Sequence, residues 1–178
     1  TIYAGTLEGL YSVKNGVAGR FVPDNMMPDL PGSNLTPTTV TCADVDKQGS
    51  LWIGTSKGLL RYDGKIWETY TTSNGLPGNN VICMKVTSGG QVWVGTSNGI
   101  GVYEKGNWKK YTTTDGLLSN NIMTIKESPD GTVWLYTQRG NVGINYFDGV
   151  SWNTKTYELE SLTGVTKQIN VMDNNGNM

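Results

Sequence analysis

Leu51-Trp52-Ile53-Gly54-Thr55 returns as Val92-Trp93-Val94-Gly95-Thr96 and again as Val133-Trp134-Leu135-Tyr136-Thr137, so Trp52, Trp93 and Trp134 stand 41 residues apart. In each copy aliphatic residues flank the Trp on both sides. Successive side chains of a strand point to opposite faces, so this pattern describes a strand that needs cover on both. A degenerate copy, Ile2-Tyr3-Ala4-Gly5-Thr6, lies upstream, with Thr6 49 residues before Thr55. A period of this length is the signature of a repeat architecture.

The segments on either side of Trp52 complete one unit. Val40 to Asp46 is β-branched at its start and reads as a first strand, A. Gln48-Gly49 turns the chain into strand B, Leu51 to Thr55. Trp52 lies on one face of B, with Leu51 and Ile53 on the other. Ser56-Lys57-Gly58 leads to strand C, Leu59 to Tyr62. Asp63-Gly64 then stands where a two-residue type I′ hairpin needs positive φ at both positions. Strand D follows from Ile66 to Tyr70. The same Gly turn recurs as Lys105-Gly106, Asp148-Gly149 and Asn15-Gly16. A second tryptophan series, Trp67, Trp108 and Trp152, marks strand D at spacings of 41 and 44. The links between units also match, Thr72-Ser73-Asn74-Gly75-Leu76-Pro77-Gly78-Asn79-Asn80 against Thr113-Thr114-Asp115-Gly116-Leu117-Leu118-Ser119-Asn120-Asn121.

A four-stranded meander of this size cannot bury both of its faces alone. Stacking copies around a common axis buries each against its neighbours and leaves short edges. The strong twist of four-stranded antiparallel sheets favours this ring over a linear stack. The expected fold is therefore all-β, a β-propeller of four-stranded antiparallel blades. About four repeats fall at 1–50, 51–91, 92–132 and 133–178, within a single partial propeller domain, 1–178. Thr1 opens at strand B, and Met178 falls where the next strand B should begin. Three arrangements fit that phase: 167–173 pairs with 1–6, two chains join head to tail, or the chain is a fragment of a larger ring. The repeat type favours a fragment or completion by another chain, with the terminal strands as pairing sites.

Composition narrows the chemistry. Charged residues make up 16 % of the chain, Gly numbers 24, and 14 Lys and Arg against 15 Asp and Glu leave a net charge of −1. No concentrated basic face for nucleic acid is visible. No apolar run approaches the roughly 20 residues that would insert in a bilayer. There is no histidine, which removes the commonest general base and zinc ligand and every Ser-His or Cys-His arrangement. Neither a metal site, a cofactor site nor a catalytic constellation is expected. Cys42 and Cys83 share one repeat phase. Equivalent positions on neighbouring blades are normally too far apart for a disulfide, so buried free thiols are expected.

The tryptophans of both series are read as packing residues, because strict periodicity points to a structural role. Asp44 to Gly49 and Asp173-Asn174-Asn175-Gly176 have calcium-loop character but lack the distal bidentate Glu, so turn capping is the better reading. The irregular segment from Phe21 to Thr39 carries the extra residues of the first unit, with four prolines and two methionines. Long loops in compact domains are often functional. Asp24, Asn25, Met26, Met27 and Asp29 are therefore the first candidates for contact with a ligand or partner. Asn79, Asn80, Asn120 and Asn121, on the blade connections, are the second set, weighed against simple turn capping.

Asp46-Lys47-Gln48-Gly49-Ser50-Leu51-Trp52-Ile53-Gly54-Thr55-Ser56-Lys57-Gly58-Leu59-Leu60-Arg61-Tyr62 resembles the two-component regulator propeller repeat. Val92 to Tyr103 matches nearly as well. The fourth copy departs, with Tyr136 for Gly and Asn141-Val142 for Leu, and the first lacks both tryptophans. The resemblance implies a periplasmic or extracellular sensor of a bacterial signalling protein. Several such sensors respond to carbohydrates. The motif residues are structural, so the resemblance transfers no catalytic residue. The expected function is a non-enzymatic ligand-binding or sensory module for a polar small molecule or glycan. An assembly module joined through open blade edges is the alternative, and a glycan-active enzyme ranks behind both.

Overall fold

A computed structural model describes residues 2–6, 9–14, 17–20, 39–137 and 143–156. Strands β1 (Ile2–Thr6), β2 (Gly9–Lys14) and β3 (Val17–Arg20) form a three-stranded sheet in sequence order. The second sheet holds β4 (Val40–Val45), β5 (Leu51–Thr55), β6 (Gly58–Tyr62) and β7 (Trp67–Tyr70). The third holds β8 (Val81–Val86), β9 (Val92–Thr96), β10 (Gly99–Glu104) and β11 (Asn107–Tyr111). The fourth holds β12 (Ile122–Glu127), β13 (Val133–Thr137), β14 (Gly143–Phe147) and β15 (Trp152–Thr156). Every pairing is antiparallel between consecutive strands. No helix among the described residues is long and apolar enough to cross a membrane.

The sheets meet through their inner strands, β4 beside β1, β8 beside β4 and β12 beside β8. They are four blades of a β-propeller. We number them 1 to 4 in chain order. The suggested pairing of 167–173 with 1–6 lies outside the described residues.

The burial of β5 and β9 follows from this stacking. All five residues of each are buried, because a neighbour covers both faces of the blade. On one side of blade 2, Leu51, Ile53 and Leu60 cluster with Val40. On the other, Trp52 packs with Val81, Val92 and Val94 of blade 3. Trp93 repeats this against Ile122, Ile125 and Leu135 of blade 4. Leu76 and Leu117, from the connections between blades, seal the two interfaces. The Trp52 ring lies 5.1 Å from Tyr103, and Trp93 lies 5.6 Å from Phe147 and 5.9 Å from Trp152. Offset and edge-on aromatic contacts of this kind add to the area they bury.

Gly54 and Gly95 make this close approach possible. A Cβ at Gly54 would overlap the Cys42 Sγ and Val81 of the next blade, and one at Gly95 would overlap the Cys83 Sγ and Ile122. Opposite them the inner strands bulge at one repeat phase, between Val40 and Cys42, Val81 and Cys83, and Ile122 and Thr124. Such bulges bend the strand as it enters the blade. In blade 4 the glycine is replaced by Tyr136, which is 41 % exposed.

The turns between A and B are built alike from unlike residues. Asp46 accepts from the N–H of Gln48 and Ser50 through Oδ1, and from Trp52 Nε1 at 2.9 Å through Oδ2. In blade 3, Gln91 Oε1 holds Trp93 Nε1 at 3.1 Å. In blade 4, Ser128 Oγ holds Trp134 Nε1 at 3.3 Å. Each central tryptophan is thus tied to the turn before it.

The turns between C and D differ from the sequence expectation. Among the described residues only Lys105-Gly106 has positive φ at both positions, 50° and 87°, as a two-residue hairpin requires, and Asn15-Gly16 lies outside them. At Asp63-Gly64, four residues separate Tyr62 from its partner Trp67. The Asp63 carboxylate accepts from the N–H of Lys65 and Ile66. Asp148 does the same with Val150 and Ser151. The aspartate side chain stands in for a backbone acceptor, and this Asx geometry outcompetes the tighter turn.

Candidate functional site

An up-and-down blade places its B–C turn at the end where the connection from the previous blade arrives. Blade 3 joins these elements covalently in sequence and by hydrogen bonds in space. The N–H of Ser97 donates to Asn80 O at 3.4 Å, and the N–H of Gly99 donates to Asn120 O at 2.7 Å. One turn therefore links the connection entering blade 3 with the connection leaving it. Asn79, Asn80, Ser97 and Asn98 are exposed there, and Asn120 and Asn121 are half-buried.

The two connections have one internal design. Asn74 Oδ1 accepts from Thr71 N at 2.7 Å, and Asp115 Oδ2 accepts from Thr112 N at 2.8 Å. Asn79 Oδ1 accepts from Thr72 N, and Asn120 Oδ1 accepts from Thr113 N, both at 2.8 Å. Asn79 and Asn120 thus cap the turn through their oxygens. Their NH2 groups, that of Asn98 and the whole Asn80 side chain have no hydrogen-bond partner among the described residues. The Asn121 N–H donates to Ser119 Oγ at 3.2 Å. This end of the molecule offers neutral amide and hydroxyl groups on a backbone that is already hydrogen-bonded.

Asn98 and Ser97 escaped the sequence analysis. The alternation of strand direction would have found them, because it sends every B–C turn to the connection end. Asp24, Asn25, Met26, Met27 and Asp29 lie outside the described residues.

The tryptophans are placed as packing residues. Trp52 and Trp93 are each 1 % exposed. The Trp108 ring covers Gly75, where a Cβ would overlap it, and Trp152 lies against Gly116. Trp67 stacks on Tyr62 at 4.7 Å. Trp134 stacks on Tyr146 at 4.8 Å, beneath the Lys155 ammonium at 5.0 Å.

Cys42 and Cys83 are free thiols, half-buried rather than fully buried as the sequence suggested. Burial pushes Cys42 up to about 11 and Cys83 up to about 12, which keeps both protonated. Burial likewise raises the Tyr70 phenol, which bonds Glu68. At the opposite end of the blades, Asp63, Asp130 and Asp148 are held below the usual Asp range. The main causes are the Ile66 N–H, the Ser128 hydroxyl and the Ser151 N–H respectively. Among the described residues, no three Cys, Asp or Glu side chains cluster as a metal ion would require.

Residues 34–57 and 75–98 match the family model described as two component regulator propeller. Two units of the chain carry the two-component regulator propeller repeat. Each match runs from a blade connection through strands A and B to the B–C turn, so it spans the candidate face as well as the tryptophan. The fold recurs in the extracellular domain of a B. thetaiotaomicron protein described as a hybrid two-component system. That likeness has a TM-score of 0.69 and 24 % identity over 91 % of this chain and 22 % of that one. A second B. thetaiotaomicron extracellular domain, described as belonging to a one-component system, gives a TM-score of 0.66. Its identity is 20 % over 97 % of this chain and 21 % of that one. The chain therefore spans about a fifth of each of these domains, and at these identities the likeness establishes the fold. Virginiamycin B lyase from Staphylococcus aureus is also similar, with a TM-score of 0.52 and 28 % identity over 67 % of this chain and 41 % of the lyase. A form of that lyase with one histidine replaced by alanine is described as catalytically inactive. No curated protein matches the chain in sequence.

Proposed function

We propose that this chain is part of a non-enzymatic sensory propeller of a bacterial signalling protein. It works outside the cytoplasm and binds a polar ligand of the carbohydrate class on the face where its blade connections meet the B–C turns. The observation that carries the reading is the hydrogen bonding of Ser97 and Gly99 to Asn80 and Asn120. It gathers uncommitted amides from three segments onto one rigid surface. Such groups match the hydroxyls of a sugar, and the bonded backbone limits the ordering cost of binding. Family repeats, and two extracellular domains of the same fold described as parts of a hybrid two-component and a one-component system, support the sensory part. The lyase relative loses activity with one histidine, and this chain contains none.

The test is a thermal-shift screen of the chain against neutral and acidic saccharides. A ligand that binds the native state alone, at 100 times its Kd, adds about 2.7 kcal/mol and raises Tm by several degrees. Asn80→Ala with Asn98→Ala should remove that rise. A flat response across the panel sinks the reading, and so does product formation from any glycan.

A second reading, an assembly module, is favoured by apolar surface on blade 4: Tyr136 on β13 is 41 % exposed and Val150, in the turn between β14 and β15, is 88 % exposed. Light scattering across a dilution series separates the two, because a concentration-independent monomer excludes assembly.

A further inference from the structure

The two described interfaces between full blades are built on the same cross-strand row, filled differently. In blade 2 the row runs Trp52, Arg61, Glu68 across β5, β6 and β7. In blade 3 it runs Trp93, Val102, Lys109 across β9, β10 and β11. Arg61 fills its interface. Its guanidinium lies 5.4 Å from the Trp52 ring centroid, donates to Glu68 Oε2 at 2.9 Å, and donates to Ser50 Oγ at 3.1 Å. Val102 has neither the reach nor the charge to do this. A cleft of about 450 Å3 opens in its place, between β11 and the turn after β14. That volume falls in the range of about 300–1,000 Å3 typical of small-molecule sites.

The lining has two parts. Val102, Tyr111 and Phe147 supply apolar surface, with Trp93 buried beneath. Gln91, Glu104, Lys105, Asn107 and Lys109 supply the polar part. Glu104 is already engaged, since its Oε2 accepts from Gln91 Nε2 at 3.2 Å, and Gln91 Oε1 holds Trp93 Nε1. No described carboxylate lies within ion-pair distance of Lys105 or Lys109. The Lys109 ammonium lies over the Tyr111 ring at 4.9 Å. The Tyr111 phenol and the more distant Asp115 stabilise the Lys109 charge. The two lysines against the single carboxylate of Glu104 leave the cleft net positive beside partly exposed aromatic rings, which favours an anion that also has an apolar face. A sugar ring presents such a face to an aromatic, and its hydroxyls match an amide and a carboxylate.

We propose that this cleft binds an acidic sugar, with its carboxylate or sulfate between Lys105 and Lys109 and its ring against Tyr111 and Phe147. The site runs along β11 from the turn that holds Lys105 to Tyr111, and neither Asn80 nor Asn98 lines it. Attraction to the two lysines weakens as salt rises, since the charges are near the surface.

The experiment is an amide NMR titration of the full chain with four probes: glucuronate, N-acetylglucosamine 6-sulfate, glucose and inorganic sulfate. Glucuronate, the sulfated sugar or both should shift amides within 102–111 and 147–149, and the tighter of the two identifies the acidic group. Glucose and inorganic sulfate should each bind at least about tenfold more weakly. The double exchange Val102→Arg with Lys109→Glu, which copies blade 2, should fill the cleft and weaken glucuronate binding by at least about tenfold. Lys105→Gln with Lys109→Gln leaves the cleft open and should abolish the preference for glucuronate over glucose. Equal binding of glucose, equal binding of bare sulfate, or undiminished binding by the blade-2 copy overturns the proposal. Shifts confined to 79–80, 97–98 and 120 also overturn it while supporting the connection-face reading. Shifts confined to the cleft do the reverse.

Discussion

Gly95 meets its own blade and the next one at a single atom's width. The Cys83 Sγ lies on one side and Ile122 of blade 4 on the other. Gly95→Ala should cost about 1–3 kcal/mol, the usual range for overpacking a dense core, read as a lower urea midpoint at unchanged slope. The thiols give an independent check on the same packing. With Cys42 raised to about 11 and Cys83 to about 12, iodoacetamide at pH 8 should modify both thiols far more slowly in the native chain than in urea. Labelling of either native thiol as fast as in urea would contradict these raised values. The central tryptophans were legible in the sequence, because a large residue at a fixed period has one economical explanation. The demand for glycine at 54 and 95 was visible only as a motif. Its cause is a neighbour 27 residues further on, which the repeat alone does not place in contact.

At the scale of elements, blade 4 shows how one substitution calls for another. Pro77 in the connection to blade 3 has no N–H to satisfy, and Gly101 of that blade lies against it. The equivalent Leu118 has an N–H, which donates to Asn145 Oδ1 at 2.8 Å. Asn145 is 0 % exposed and spends its NH2 on Gly116 O at 3.1 Å and Thr154 Oγ1 at 3.1 Å. Asn145→Leu should cost about 1–3 kcal/mol by orphaning buried polar groups. Asn145→Gly combined with Leu118→Pro should recover part of what Asn145→Gly alone loses, and a fully additive double variant would refute this coupling. The Asx turns carry a pH signature. Asp63 and Asp148 are depressed mainly by the N–H groups of Ile66 and Ser151. The folded state therefore favours their ionised form. That contribution is present above the unfolded value of about 3.9 and is lost as pH falls through the lower folded values. Carboxyl carbon NMR should give midpoints below about 3.9 for both, and a midpoint at or above it removes the account. These turns were misjudged from sequence because Asp-Gly suits two turn types. The choice rests on whether the Asp side chain finds two backbone donors, as it does here, or the position holds Lys105, which has no acceptor to offer.

Over the whole molecule, stability is carried between blades as much as within them. Trp93 belongs to blade 3 in sequence, yet Phe147 and Trp152 of blade 4 enclose it. Trp93→Ala should cost about 3–5 kcal/mol. In a chain of units coupled to nearest neighbours, the loss should appear unevenly. Amide exchange in β12 to β15 should accelerate far more than in β4 to β7, whereas uniform acceleration would mean that the blades unfold as one. The radial stack was readable from the period. The cleft between blades 3 and 4 was not, since it arises from differences between copies at Arg61 and Val102 that a search for likeness passes over.

The rotation that carries blade 2 onto blade 3 brings Gly54 onto Gly95, and its next application brings Gly95 onto Tyr136. A side chain therefore stands at the position where Gly54 and Gly95 leave room for Val81 and Ile122 at the earlier steps. A sheet laid against blade 4 must therefore open its strand with a smaller residue or stand at a wider angle. The pseudo-symmetry has a seam at this azimuth, and any circle completed from here on is marked by it.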